Sequence, residues 1–289
     1  MSLNSNNGYD DPVSGMIDSV IDHALFGKMT NTNFDLRGLV TDIFGCFVTV
    51  VRSDSSSVLS ESSDRVHGCI GYWDPDCNEL SRTELFSSLM RASVDAVHKD
   101  PRKERFGSLY SDFDAYIEIT LMTLPLIPID KVTGIMTFSN TKRKFDNDDF
   151  GAIVEDSDKS KFKPRATFLP GVFHQKSWDY VSNQLSRKAG VDKSGDTVKF
   201  YAYKGVVYKK SLADRFISHY IDFINDSYTN LSKIPYQVSR SASDTYNVTY
   251  DSGSYVRNIA TLRDLTILVD REYNISEKIK GYIKKDVKH

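Results

Sequence analysis

Cysteine is scarce in this chain: Cys46, Cys69 and Cys77 are the three in 289 residues. Three cannot form a disulfide framework, and no Cys-X-X-Cys pair exists to hold zinc or run dithiol exchange. The six histidines are scattered, with no His-X-X-X-His pair, so no metal site is expected. A phosphate-cradling glycine loop is missing as well, and no cofactor is expected. Charge of one sign is also lacking. The formal net charge is −2, which does not support nucleic-acid binding by bulk charge and leaves only a local basic groove. No apolar run is long enough to span a membrane, and the N-terminus is polar rather than signal-like. The expected setting is intracellular, in cytoplasm or nucleus, without a membrane partner.

What is present begins with core-forming residues, at 40% of the chain. Residues 1–13 are polar. A helix is expected after Ser14, with Met16, Ile17, Val20, Ile21, Ala24 and Leu25 as its apolar stripe. Cys46–Val51 reads as a largely buried strand, and 53–64 as an exposed, serine-rich loop. Val66–Gly71 reads as its hairpin partner. A long helix spans about Leu80–Val97 and ends at Asp100-Pro101.

Residues 115–123 alternate cleanly. Ile117, Ile119 and Leu121 face a core; Tyr116, Glu118, Thr120 and Met122 face a half-polar surface. Prolines 125 and 128 then break the chain. Short strands fit 133–138, 151–155 and 165–169, with a charged turn at Lys142–Asp149. A helix over His174–Lys188 stops at Gly190, and a hairpin is expected around Gly205. Mixed elements without βαβ alternation point to an α+β fold with an antiparallel sheet. From 212 the texture changes. Helical patterns recur at Leu212–Phe223, Val256–Val269 and Ile275–Ile283 around a Ser/Asp/Tyr-rich connection over 232–253. The organisation is therefore a domain over 14–211 and a mainly helical extension over 212–289. The extension reads as an appendage packed on the domain, since its apolar stripes need a partner, or as a small interaction element.

The densest chemistry lies in Val66-His67-Gly68-Cys69-Ile70-Gly71. Glycine inside a strand marks a bulge or a close approach. In a regular strand His67 and Cys69 point to the same side. Two readings of Cys69 stand. One is a thiolate nucleophile or covalent carrier with backbone N–H groups holding an oxyanion; the other is a small buried hydrophobe. His67 reads as a base or as an ordinary cleft histidine. Glu118 reads as a general acid/base or a solvated strand residue, and Thr49 as a cleft hydrogen-bonder or a good strand former.

Several segments in order carry a resemblance. They are Gly45-Cys46-Phe47-Val48-Thr49, His67-Gly68-Cys69-Ile70-Gly71, Asp100, Arg105-Phe106, Tyr116-Ile117-Glu118-Ile119-Thr120, Gly134-Ile135, Ala166-Thr167-Phe168-Leu169-Pro170, Trp178-Asp179 and Lys188-Ala189-Gly190. The chain resembles the AMMECR domain family over about residues 14–210. The resemblance implies an α+β fold of two subdomains, the larger built on an antiparallel sheet flanked by helices, and a cleft lined by Gly68-Cys69-Ile70-Gly71. It implies no settled activity. By association it points to Memo-type and radical-SAM partner proteins. Three departures stand out: the family places arginine where His67 stands, the family's Asp-X-Arg-Phe is stretched to Asp100…Arg105-Phe106, and the tail after 212 has no counterpart in short members.

Two functions follow as expectations. In the first, a cleft enzyme or enzyme component modifies a small molecule or nucleobase. Cys69 is nucleophile or carrier, Glu118 acid/base and His67 the thiol's partner, while Gly68, Ile70, Gly71, Thr49 and Arg105 bind. In the second, the domain is a non-catalytic interaction or ligand-binding module.

Overall fold

The structure is a computed structural model that describes residues 12–26, 42–52, 65–74, 76–105, 109, 115–157, 164–212, 215, 236–240, 246–250 and 256–259. The elements are α1 (Pro12–Phe26), β1 (Ile43–Val51), β2 (Val66–Trp73), α2 (Arg82–His98), a 3₁₀ turn (Pro101–Arg105), β3 (Tyr116–Ile129), β4 (Ile135–Thr137), β5 (Lys142–Lys144), β6 (Phe150–Asp156), β7 (Arg165–Phe168), α3 (Trp178–Ala189) and β8 (Val198–Ser211), followed by β9 (Tyr236–Arg240), β10 (Tyr246–Tyr250) and β11 (Val256–Ile259).

One antiparallel sheet in the order β2-β1-β3-β8-β6-β7 organises the molecule, with β4 paired to β3 and β5 to β4. It is an α+β fold with a curled sheet and flanking helices. The helices cover one sheet face, as the parity of the central strand β8 shows. Val206 and Tyr208 pack in the core made by α1, α2, β1 and β3. Val198, Phe200 and Ala202, of the same parity, pack in the core under α3. These two cores are the physical content of the two subdomains. The opposite face carries a smaller cluster of Phe44, Met122, Ile153 and Tyr203, all at most 1% exposed. The Phe44 and Tyr203 rings meet edge to face at 5.7 Å.

The helix boundaries follow from capping. Ser81 Oγ accepts the Glu84 N–H at 3.3 Å and Glu84 Oε2 accepts the Ser81 N–H at 2.8 Å, a reciprocal capping box that starts α2. Ser177 Oγ accepts the Tyr180 N–H at 3.3 Å and starts α3 later than the His174 expected from periodicity. Gly190, at φ 68°, ends α3 as the sequence suggests.

Three expectations change. Prolines 125 and 128 do not end the strand: β3 runs through them to Ile129, absorbing them in a register shift between Thr123 and Ile127. The hairpin expected around Gly205 is one unbroken strand. Gly205 sits mid-strand, where a Cβ would lie 3.0 Å from Thr120 Cγ2 and 3.1 Å from Pro170 Cγ. In the tail, 236–240, 246–250 and 256–259 form a separate three-stranded antiparallel sheet, β11-β10-β9. Val256–Ile259 is therefore strand rather than the start of a helix, and the connection over 232–253 contains two strands. Tyr246-Asn247-Val248-Thr249-Tyr250 shows why: it alternates, and it is rich in aromatic and β-branched residues. The helical readings over 216–223 and 260–289 lie outside the described residues. At the start of the extension Leu212 is fully buried, and Arg215 pairs with Asp18 at 2.6 Å and Asp22 at 3.1 Å on α1.

Candidate functional site

Register places the site. On the sheet face opposite α1 and α2, Cys69 pairs with Thr49, Thr49 with Glu118, and Glu118 with Lys209. These four residues form a row across β2, β1, β3 and β8. Neighbouring strands lie about 4.8 Å apart, so Cys69 and Glu118 stand roughly 10 Å apart with Thr49 between them. Thr49 Oγ1 donates to Cys69 Sγ at 3.1 Å. Burial raises the Glu118 pKa, and the Lys209 charge opposes the shift.

β2 is an edge strand, yet at Cys69 its edge is closed. The Cys69 N–H donates to Asp100 Oδ2 at 3.0 Å, and Arg102 Nη2 donates to the Cys69 carbonyl at 3.2 Å. Both backbone groups of Cys69 thus point away from β1. Cys69 and Thr49 form a non-hydrogen-bonded pair, the arrangement that brings cross-strand side chains closest. Arg102 Nε also donates to Asp100 Oδ1 at 2.9 Å, and Nη2 lies 2.6 Å from Oδ2. Burial alone would raise the Asp100 pKa. Hydrogen bonds from Arg102 and the Cys69 N–H outweigh it and hold the carboxyl at about 2. The Arg102 pKa is raised, first by its hydrogen bond to Asp100 and further by Cys69.

The two glycines of the motif admit neighbours. A Cβ on Gly68 would lie 1.9 Å from Ala96 O and 3.0 Å from Asp100 Cβ, so its absence lets the C-terminal turn of α2 reach the strand. A Cβ on Gly71 would lie 2.3 Å from the Phe47 ring, which covers that glycine and stacks on Trp73 at 5.8 Å.

The other edge strand, β7, meets the end of α3. Lys188 Nζ donates to Thr167 O at 2.9 Å and lies 4.8 Å from the centre of the Phe168 ring. Lys188 is exposed as a residue, and partial desolvation of its amine against Thr167 and Phe168 lowers its pKa. Thr167 Oγ1 lies 3.1 Å from the Tyr203 hydroxyl, whose pKa burial raises and Cys69 raises further.

Several residues singled out from sequence stand elsewhere. His67 does not share the Cys69 face. The register steps from Val50↔Gly68 to Val51↔Val66, which leaves His67 as the extra residue of a bulge. Its side chain turns to the helix side, with Nε2 3.2 Å from Val97 O. Burial lowers its pKa; the Val97 carbonyl opposes. Ile70 packs into the core under α2. The Cys69 N–H, a candidate oxyanion donor, is already committed to Asp100. Arg105 is exposed at the end of the 3₁₀ turn, and Arg102 takes the place beside Cys69. Asp100-Pro101-Arg102 has the Asp-X-Arg spacing without any stretch, a signal visible in the sequence. Lys188 was legible only as part of Lys188-Ala189-Gly190, with no role attached.

Among the described residues no group of three or more His, Cys, Asp or Glu side chains could hold a metal, and no helix is long and apolar enough to cross a membrane. A surface concavity of about 410 Å³ lies on the other side of the domain, lined by residues such as His23, Phe86, Met90 and Lys99. It contains none of the residues described above.

No curated protein matches the chain. A solved structure of an uncharacterized protein from Pyrococcus horikoshii is similar at 18% identity and a TM-score of 0.44, covering 69% of this chain and 89% of that one. The AMMECR1 family model matches residues 16–208, more than half of the sequence and a span that includes Thr49, Cys69, Asp100, Arg102 and Glu118, and the chain belongs to the AMMECR1 family.

Proposed function

We propose that the domain is a cleft enzyme, or a component of one, that modifies a small molecule or nucleobase with Cys69 as nucleophile or covalent carrier. The observation that carries this reading is the immobilisation of Cys69. Asp100 and Arg102 hold its backbone on one side, and the Thr49 hydroxyl donates to its sulfur on the other. These contacts fix the position of the sulfur on the strand, and a held, oriented nucleophile is what covalent chemistry on a bound substrate requires. Glu118 stands two strands away as an acid/base for a substrate lying along the row. His67 takes no part, because the bulge turns it away. Memo-type and radical-SAM proteins are the partners this reading would join.

The test is capture of metabolites or nucleic acid on the full chain, comparing wild type with Cys69→Ala. A covalent adduct or bound compound mapped to Cys69, absent from the variant, supports the reading. Equal capture by both proteins overturns the nucleophile. That outcome favours the second reading, a ligand-binding module without a covalent step, which the lack of an adjacent imidazole already recommends.

A further inference from the structure

An exposed aromatic corner stands between β7 and α3, outside the Cys69 row. Val172 is 47% exposed and Tyr180 42%. The Phe173 ring ties the corner together: it meets Phe168 of β7 edge to face at 4.6 Å and Tyr180 of α3 at 5.5 Å. Packing explains Phe168 and Phe173, which lean on the core under α3. It does not explain why an aliphatic and an aromatic side chain beside them stay in water. The loop that presents Val172 is held in place. Asn147, 4% exposed, accepts the Gly171 N–H at its carbonyl and the Phe173 N–H at its side-chain oxygen, both at 2.6 Å, and its amide donates to Phe150 O at 3.1 Å. A patch fixed in advance loses little entropy on binding. Its charged neighbours are cations. Lys188 Nζ lies 4.8 Å from the centre of the Phe168 ring and Lys176 Nζ 5.7 Å from that of Tyr180, and both lysines are exposed. The carboxylates on the same segments are already taken, Asp179 by Lys193 at 2.8 Å and Asp148 by His174 at 2.9 Å.

We propose that this corner docks an acidic segment of a partner protein, with an apolar side chain seated against Val172, Phe173 and Tyr180 and carboxylates held by Lys176 and Lys188. The surface goes beyond the reading of the Cys69 site and stands whether or not that thiol reacts. Its composition is that of an interface centre, aromatic and aliphatic groups inside a polar rim. Charge complementarity sets the sign of the partner, because the rim offers two ammonium groups. Ring geometry sets its class. The three rings meet at 83° and 80°, so they present no parallel row on which successive bases of a single strand would stack. A single apolar side chain fits such a corner.

The test pans a phage-displayed library of random peptides on the full chain and measures the best binder by fluorescence anisotropy. Enriched peptides are expected to carry an aromatic or large aliphatic residue flanked by Asp or Glu. Tyr180→Ala should weaken the binder about tenfold, the size of losing an interface anchor. Val172→Glu should do as much by setting a like charge against the acidic segment. Val172 is half exposed, so this variant disturbs little packing and serves even if Tyr180→Ala fails to fold. Lys176→Glu should weaken binding about threefold and reduce its sensitivity to salt. Arg82→Glu, the same change of charge at the start of α2, should leave binding unchanged; a loss equal to that of Lys176→Glu would show bulk charge at work and overturn the proposal. Enriched peptides without acidic residues, a binder indifferent to Val172→Glu, or no enrichment at all would overturn it as well. Binding of a fluorescent oligothymidylate that is lost in Tyr180→Ala, with no acidic peptide enriched, would assign the corner to single-stranded nucleic acid instead.

Discussion

The Asp100 carboxylate accepts the backbone N–H of Cys69 at 3.0 Å, joining the end of α2 to the edge of β2. The same carboxylate is 3% exposed and is held at about 2 by Arg102 and that N–H. A carboxyl depressed in the folded state stabilises the fold above its unfolded value, near 3.8, and that stability is lost as pH falls toward 2. Partial exposure of Arg102 trims the effect to about 2 kcal/mol. Asp100→Asn should therefore be less stable than wild type by that order at pH 6. The gap should narrow as both proteins are titrated toward pH 2, which urea denaturation across that range would measure. A gap independent of pH would show that Asp100 is not the group involved.

Gly68 and Gly71 should respond differently to alanine. At Gly68 the new methyl would meet a backbone carbonyl, Ala96 O, at 1.9 Å, and the helix end cannot move without disturbing the Asp100 clamp. At Gly71 it would meet the Phe47 side chain, which is partly buried and can rotate. Gly68→Ala is expected to cost about 3 kcal/mol and Gly71→Ala about 1 to 2. Urea midpoints would rank them, and the reverse order would contradict the packing.

These glycines also show what the sequence discloses. The α+β class, the helices, the long-looped β1–β2 hairpin and the alternation of β3 follow from local periodicity and caps. The landmark Gly68-Cys69-Ile70-Gly71 follows from composition alone. The sidedness of His67 does not. It depends on a bulge opposite Val50 and Val51, a property of the pairing and invisible within β2. The roles of Arg102 and Lys188 were hidden for a related reason. Each acts through backbone carbonyls far along the chain, Cys69 O and Thr167 O, and no spacing rule links such positions. The continuity of β3 through Pro125 and Pro128 likewise came from its neighbours: a register shift against β8 absorbs the prolines, and a strand reading of the segment alone ends there.

The three thiols should separate in reactivity. Cys46 is fully buried and burial pushes its pKa up to about 12, with the Tyr72 backbone opposing. Burial also raises that of Cys77. Cys69 should alkylate first near neutral pH and Cys46 last, by peptide mapping after short exposure to iodoacetamide. Thr49→Val keeps the shape of the side chain and removes its hydrogen bond to sulfur. It should slow Cys69 alkylation about threefold, the size of one modest hydrogen bond. A rate unchanged in Thr49→Val would mean that this bond does not tune the sulfur.

His67 adds a second acid dependence at milder pH. Burial lowers its folded pKa below the ordinary 6.5, so the unfolded chain takes up the proton first. Stability contributed by neutral His67 is complete above about 6.5 and falls as pH drops toward the folded value. His98 shifts in the same direction: burial lowers its pKa, and the 2.7 Å contact with Ala24 O opposes. Denaturation at pH 7.5 and 5.5 should show wild type losing stability on acidification, with a smaller loss in His67→Gln. An equal loss in both would assign the dependence to His98 alone.

Arg102 and Arg105 are three residues apart, and the structure assigns them opposite weight. Arg102 satisfies the Cys69 carbonyl and neutralises Asp100, whereas Arg105 is exposed. Arg102→Gln would leave a nearly buried carboxylate with only N–H donors, at a cost of about 2 to 3 kcal/mol. Arg105→Gln should stay within about 0.5 kcal/mol of wild type. A second readout separates loss of the ion pair from general damage. Without Arg102 the Asp100 carboxyl is less depressed, so the loss of stability between pH 4 and pH 2 should be shallower in Arg102→Gln than in wild type. If Arg105→Gln shows both effects and Arg102→Gln neither, the family's Asp-X-Arg arginine is Arg105 after all, and the clamp on Cys69 belongs to the longer spacing.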